Sequence, residues 1–399
     1  MLSLLLVAFA VGEAQTGFGA DANLLRLAAA NNSFSFNLLR QLATEQPDAS
    51  ILVSPYSVAT ALQMAANGAT GQTRAEMGQV LGITNLTTSE LNQAFKVTAG
   101  TLNAANTNVI LTTANALWYR QSAQIKPVFL AANQKFFSST IKPLDFSNVP
   151  AAENEINHWA SNQTHGRITG IANGMIDPVH TDLILANAIY FKGRWLDPFD
   201  KGRTTEHPFH PATGAPKNLQ MMEMFKKFSY RKGTGYQAVR LPYLGCDLAM
   251  YVFLPDPGSS PAKLLQFMTG DNWHKITMPG FSERQGLLEL PKFKLGNALE
   301  LRQPLSALGM KTAFQQTKAD FSEMFSDPHF ISEFRQKAFV EVSEEGTEAA
   351  AATRMDAVAT GIEMNLLPPF KMIVDRAFLF AIVDGRSELI LFMGLVNNL

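Results

Sequence analysis

The sequence predicts an α+β architecture of mixed helices around large β-sheets, and three observations carry that prediction. Helix signals crowd the first quarter of the chain. Runs that are apolar on both alternating faces, as in strands covered on both sides, are spread over the remainder. No Gly/Ser-rich or Pro-rich linker and no internal repeat divides the 399 residues, so one domain is expected over 15–399.

In chain order, Leu2 to Val11 is an uncharged apolar run, about half the ~20 residues that span a bilayer. Gly12 and Ala14 have the small side chains of a cleavage site. Residues 1–14 are therefore read as a signal peptide and the protein as secreted or extracytoplasmic; the other reading of the run is a buried strand or helix. Ser54-Pro55 reads as an N-cap with Pro at the first helical position, followed by the apolar stripe Val58, Leu62 and Ala65 and then Gly68. Thr73 with Glu76, and Thr87 with Glu90, read as capping boxes, and Gly82 ends the first of those two helices. Strands are expected over Val109 to Tyr119, Leu183 to Phe191, Leu248 to Leu254, Phe339 to Val342, Phe378 to Val383 and Leu389 to Val396. Helix-like pieces, Ala151 to Ala160 and Leu299 to Gly309, lie between them. Three sequons, at Asn31, Asn85 and Asn162, matter only in a eukaryotic secretory pathway.

Composition excludes several functions. Hydrophobic residues make up 46% and charged residues 17%, which rules out disorder, collagen and coiled coil. Lys and Arg number 33 against 34 Asp and Glu, with no basic run, so no nucleic-acid footprint is present. Cys246 is the only cysteine, which removes intrachain disulfides and Cys-rich metal sites; its plain reading is a small buried hydrophobe. No nucleophile elbow, zinc-protease helix, phosphate loop or dinucleotide fingerprint occurs, and the seven histidines are scattered. Glu344 and Glu345 point to opposite faces of an extended chain and cannot share one substrate bond. Binding or inhibition is left as the expectation, with no cofactor, metal or membrane.

The segment Glu344 to Pro369 stands out as a connection longer than usual between two strand-like runs. Taken every second residue from Thr347 to Ala359, one set (Thr347, Ala349, Ala351, Thr353, Met355, Ala357, Ala359) is wholly small or apolar. The interleaved set holds every charge, as in a half-buried strand, although the Ala-rich composition also suits a helix or an exposed linker. The pattern breaks at Glu363.

Gly346-Thr347-Glu348-Ala349-Ala350-Ala351-Ala352-Thr353 resembles the hinge of an inhibitory serpin. Further matches follow in order from about residue 30. They include Ser54-Pro55-Tyr56-Ser57, Asn187 to Trp195, Leu290-Pro291-Lys292-Phe293, Ala319-Asp320-Phe321-Ser322 and Asp375-Arg376-Ala377-Phe378. The resemblance implies the serpin fold, with helices around three β-sheets and an exposed reactive-centre loop at about 344–369. It also implies a suicide inhibitor of serine endopeptidases and not an enzyme, in which the cut loop inserts into the main sheet and traps the acyl-enzyme. The alternative within the family is a non-inhibitory storage or carrier protein; the absence of Pro or a bulky charge at Thr347, Ala349 or Ala351 favours the inhibitor.

Residue roles follow by position. The hinge would comprise Glu344, Gly346, Thr347, Glu348, Ala349, Ala350, Ala351 and Ala352; the breach Trp195 and Lys292, with Lys292 paired to Glu344; the shutter Ser54, Ser57, Asn187 and Gln336. Gln336 stands where many serpins carry His, and Ala377 replaces the usual Pro. Counting seventeen residues from Glu344 places the scissile bond at Thr360-Gly361, while counting back from Asp375-Arg376 favours Met364 to Leu366. A cut after Arg354 would leave too short a strand. The expected partner is an elastase-like, subtilisin-like or chymotrypsin-like protease met by a monomer. Lys96 is the lone cation between Leu91 and Ala105, so heparin-type activation is not expected.

Overall fold

Residues 22–102, 108–277, 280–346 and 368–399 are described by the computed structural model. Most of the helix lies at the N-terminal end: α1 (Ala22–Glu45), α2 (Pro55–Ala66), α3 (Gly71–Leu81), α4 (Thr88–Leu102), α5 (Pro127–Phe137) and α6 (Val149–Gln163). Three short helices follow, α7 (Pro261–Phe267), α8 (Gly270–Thr277) and α9 (Arg302–Ala307).

Local chemistry sets the helix ends. The Ser57 amide donates to Ser54 Oγ at 3.4 Å and Pro55 takes the first turn, so α2 starts where its sequence directs, and every residue of it is buried. Gly82 closes α3 with φ 68°, a left-handed conformation that suits glycine. The box at α4 forms: the Thr87 amide donates to Glu90 Oε2 at 2.8 Å and the Glu90 amide to Thr87 Oγ1 at 3.3 Å. The box expected at Thr73 and Glu76 does not form, because α3 already begins at Gly71. Both side chains cap other segments instead. Thr73 Oγ1 accepts from the Asp320 amide, and Glu76 accepts from the amides of Lys311 and Thr312. Those two bonds to Glu76 and two more from Gln72 and the Thr312 hydroxyl outweigh the opposing effect of burial and hold the Glu76 carboxyl at about 2.

The first strands are β1 (Ile51–Val53), β2 (Val109–Arg120), β3 (Thr140–Leu144), β4 (Leu183–Gly193), β5 (Thr205–Phe209), β6 (Lys217–Gly233) and β7 (Tyr236–Pro242). Then come β8 (Leu248–Pro255), β9 (Ser282–Pro291), β10 (Phe293–Glu300), β11 (Ile331–Val342), β12 (Phe370–Ile373), β13 (Phe378–Asp384) and β14 (Ile390–Val396). One sheet runs β10-β11-β4-β2-β3. A nine-stranded network runs β1-β14-β13-β8-β7-β6-β9-β12, with β5 also on β6. The long β6 pairs β5 and β9 along most of its length and β7 only from Ser229, so it joins two sheets into that network and accounts for the three expected. β11 begins eight residues earlier than its expected start at Phe339. Its leading half alternates buried residues with Glu333, Arg335 and Lys337, a half-exposed pattern masked by the charges.

In the five-stranded sheet β4 and β11 run parallel, from Ile331 opposite Leu183 to Val340 opposite Phe191. Alternate β4 residues face two cores. Leu183, Leu185, Ile189 and Phe191 join the main core, with α2 and β14. Ile184, Ala186 and Ala188 join a second core under α6, where Trp118 and Trp159 meet edge to face at 5.0 Å. The sequon residue Asn31 is buried on α1 and donates to the Ile390 carbonyl at 3.0 Å, which closes it to modification in the folded chain.

Candidate functional site

The parallel β4/β11 pair forms a seam, and polar side chains collect at two levels along it. The upper level lies where β11 ends. After Val342 the chain makes a tight turn in which the Gly346 amide donates to the Ser343 carbonyl at 3.1 Å and the Ser343 amide to the Gly346 carbonyl at 2.7 Å. This turn rests on the end of β4: the Trp195 amide donates to the Glu345 carbonyl at 3.0 Å, and the Phe199 amide to the Glu344 carbonyl at 2.8 Å. Gly346 has φ 135°, and a Cβ there would sit 2.1 Å from the Gly193 carbonyl oxygen. Only glycine permits this approach.

Glu344 and Lys292 come together at this level, Lys292 Nζ lying 3.0 Å from Glu344 Oε1, with the Thr204 hydroxyl donating to the same oxygen at 2.9 Å. Burial pushes the Glu344 carboxyl up, but the amide of its own residue, Lys292 and Thr204 together hold it below the usual carboxylate range. Trp195 is buried, stacks on Tyr243 at 4.7 Å and donates from its indole to the Ser343 carbonyl at 3.0 Å. Glu345 pairs with Lys201.

The second level is midway down. Asn115, Asn187 and Gln336 occupy matched register positions on β2, β4 and β11. Asn187 is fully buried and donates to Asn115 Oδ1 at 2.8 Å, to the Ala114 carbonyl at 3.2 Å and to the Ser57 hydroxyl. Gln336 Nε2 donates to Asn187 Oδ1 at 2.6 Å and to the Ser54 carbonyl at 3.0 Å, while its Oε1 accepts from the Ser54 amide at 2.8 Å. The Ser54 hydroxyl donates to the Leu391 carbonyl at 2.6 Å. This neutral network links three strands of the sheet to the first turn of α2 and to β14. Its members bond one another, so losing one leaves its direct neighbours short of a buried partner.

Ser54, Ser57, Asn187 and Gln336 are thus one cluster, and Glu344, Gly346, Trp195 and Lys292 another. Thr347, Glu348, Ala349, Ala350, Ala351 and Ala352, together with Thr360, Gly361, Met364 and Leu366, lie outside the described residues, as does the 1–14 segment. Sequence reasoning missed Asn115 and Thr204. Asn115 carried a signal, being the one amide in an otherwise apolar stretch of β2; Thr204 carried none. Among the described residues, no group of three or more His, Cys, Asp or Glu is arranged to hold a metal ion, and no helix is long and apolar enough to cross a membrane.

Comparison with known proteins gives a consistent picture. A family model described as "Serpin (serine protease inhibitor)" matches residues 29–399. The leukocyte elastase inhibitor of Bos taurus is 36% identical over 386 residues, covering 94% of this chain and 99% of the relative. Human serpin B9 is 36% identical over 377 residues, covering 92% and 98%. Among solved structures, human thyroxine-binding globulin complexed with thyroxine superposes with a TM-score of 0.86 at 27% identity, covering 94% of this chain and 99% of that one. Leukocyte elastase inhibitor and serpin B9 are intracellular proteins, and that overturns the expectation of a secreted or extracytoplasmic location drawn from the apolar run at residues 2–11. A short apolar run is a weak address, since the same composition serves a buried segment equally well.

Proposed function

Because the chain belongs to the serpin family, we propose that it is a suicide inhibitor of serine endopeptidases that traps its target by inserting its own cleaved loop into the five-stranded sheet. The observation that carries this reading is the seam itself. β4 and β11 are parallel neighbours at the centre of that sheet, and the chain leaves the upper end of β11 at Gly346 directly into the period-two, small-residue segment.

A strand folding back from Gly346 between β4 and β11 runs antiparallel to both. One parallel pairing is thereby exchanged for two antiparallel ones. Thr347 to Ala359 is thirteen residues, roughly 43 Å when extended, against eleven in β4 and twelve in β11. At a net of about 0.5–1.5 kcal/mol per backbone hydrogen bond, insertion yields on the order of 6–20 kcal/mol. The uninserted fold is then held by kinetics.

In the proposed sequence the protease serine attacks the Thr360 carbonyl, the bond to Gly361 breaks, and the Thr360 acyl group remains esterified to the protease. Insertion carries that ester along the seam before water hydrolyses it. The distorted oxyanion hole then no longer stabilises the deacylation step. The name of leukocyte elastase inhibitor supports an elastase-like target, in keeping with a small residue at the cut; a cut at Met364 to Leu366 is the alternative.

The test is incubation with an elastase-like protease followed by denaturing electrophoresis. A covalent complex that survives boiling is the expected result, with mass spectrometry of the released C-terminal peptide fixing the bond. Clean cleavage with full protease activity and an unchanged melting temperature would instead favour a carrier, the role that the thyroxine-bound neighbour suggests.

A further inference from the structure

The lower end of the seam holds a third polar cluster that the site above does not use. Asp182 immediately precedes β4, and His329 stands two residues before β11. His329 is only 6% exposed, and its Nδ1 lies 2.8 Å from Asp182 Oδ1. The second carboxylate oxygen of Asp182 accepts from the Phe330 amide at 2.9 Å, the Asp182 amide donates to the Ser332 hydroxyl at 2.9 Å, and that hydroxyl donates to the Leu183 carbonyl at 2.9 Å. Four hydrogen bonds therefore cross between the starts of the two strands that insertion must separate.

We infer that Asp182 and His329 form a second latch across the seam, holding its lower end shut while the imidazole is protonated and easing when it loses the proton. Charged and titratable groups from each neighbouring element are consistent with a protonated ring. Asp327, in the lead to β11, places Oδ2 3.1 Å from His329 Nε2. From the end of β2, Tyr119 packs on Phe325, whose ring lies 4.3 Å from that of His329, and the Arg120 guanidinium is turned away onto the Val179 and Thr181 carbonyls. Arg302 and Glu333 pair with each other on the far side of Ser332. Burial lowers the His329 pKa, but the hydrogen bond and charge of Asp182, with Asp327 behind it, raise it above the ordinary 6.5. The sign follows: a raised folded pKa gives stabilisation that is fully present below about 6.5 and lost as pH climbs through the higher folded value. A strand entering from Gly346 meets these bonds last, so the latch decides whether insertion runs to completion.

The inference deepens the inhibitory reading but is tested apart from it. Amide hydrogen exchange of the full chain is followed from pH 6 to 9 over residues 183–186 and 331–334, corrected for intrinsic rates, with β13 as the internal reference. In the wild type, protection at the lower seam should fall relative to β13 by up to about tenfold per pH unit, the limit set by one proton. In His329→Leu and Asp182→Asn the ratio should be flat. A flat ratio in the wild type overturns the latch, whether or not either variant folds. A second arm measures the fraction of protease trapped against that released at pH 6 and pH 8.5, where the latch predicts more trapping at the higher pH in the wild type only. Loss of trapping at every pH with the exchange profile intact would sink the inhibitory reading and leave the latch standing.

Discussion

Gln336 on β11 and Asn187 on β4 face each other at matched register across the central parallel pair, joined by a 2.6 Å hydrogen bond between their amides. This is the side-chain bond at mid-seam that parting the strands must break, and neither partner carries a charge.

Replacing Asn187 with Ala should deprive Asn115 Oδ1 and the Ser57 hydroxyl of their amide donor, and Gln336 Nε2 of one of its two acceptors, in a buried setting. The expected cost is about 2–4 kcal/mol. It should appear as a lower apparent melting temperature at fixed scan rate, the proper measure if the fold is held kinetically as proposed.

Gln336→His should introduce a pH dependence absent from the native amide. Burial among neutral partners depresses a histidine pKa below the ordinary ~6.5. Stability is then present above that value and lost as pH falls toward the folded one. Melting of the variant should drop between pH 7 and 5, relative to the wild type over the same range; parallel curves would refute the neutral character of this network.

The Gly346 turn should not tolerate a side chain. Gly346→Ala places a methyl against the Gly193 carbonyl and keeps a φ of 135° that L-residues avoid, a strain of about 1–3 kcal/mol. Loss of the contact between this turn and Trp195 should register as a red-shifted, weaker tryptophan emission with a lowered melting temperature.

Glu344 should govern the acid limit of the upper seam. Its folded pKa is depressed, so its contribution is present above about 4.3 and lost as pH falls below that value. Glu344→Gln should flatten the stability profile between pH 5 and 3 and lower the plateau by about 1–2 kcal/mol. A profile that keeps its wild-type slope would assign the acid limb elsewhere.

At the hinge, Thr347→Arg or Ala351→Pro should turn the inhibitor into a substrate. A charge on the buried parity, or a residue without an amide proton, slows entry between two hydrogen-bonded strands. Gel densitometry should show cleaved chain increasing several-fold at the expense of covalent complex, with the rate of loop cleavage unchanged.

Much of this was legible in residue patterns. The two-sided apolar runs located β2 and β4, and Ser54-Pro55 located α2, because local chemistry and burial agree there. The Thr73/Glu76 pair misled, since a capping box and a helix-interior pair look alike until one knows that their partners, Asp320 and Thr312, come from more than two hundred residues away. The leading half of β11 was hidden for a related reason: Arg335 and Lys337 reach from the sheet to carbonyls of Asn173 and Thr169, so charged residues sit in a central strand. Asp182 and His329 are unremarkable singly and acquire meaning only once the two strand starts are side by side.

The two borders of the 347–367 segment belong to different sheets. Its leading border follows β11 in the five-stranded sheet, while its trailing border enters β12, on the outer edge of the nine-stranded network, where Phe370 stacks on Tyr230 at 3.9 Å and Arg284 holds the Pro368 carbonyl at 2.9 Å. If the loop is cut as proposed, the new amine would stay tied to the nine-stranded network while the acyl carbon would travel with the five-stranded sheet. Their effective concentration for one another would then collapse, and resealing of the peptide, the microscopic reverse of the first cut, would be denied to the protease. The proposed reaction would be a ratchet by virtue of where its two ends are tied.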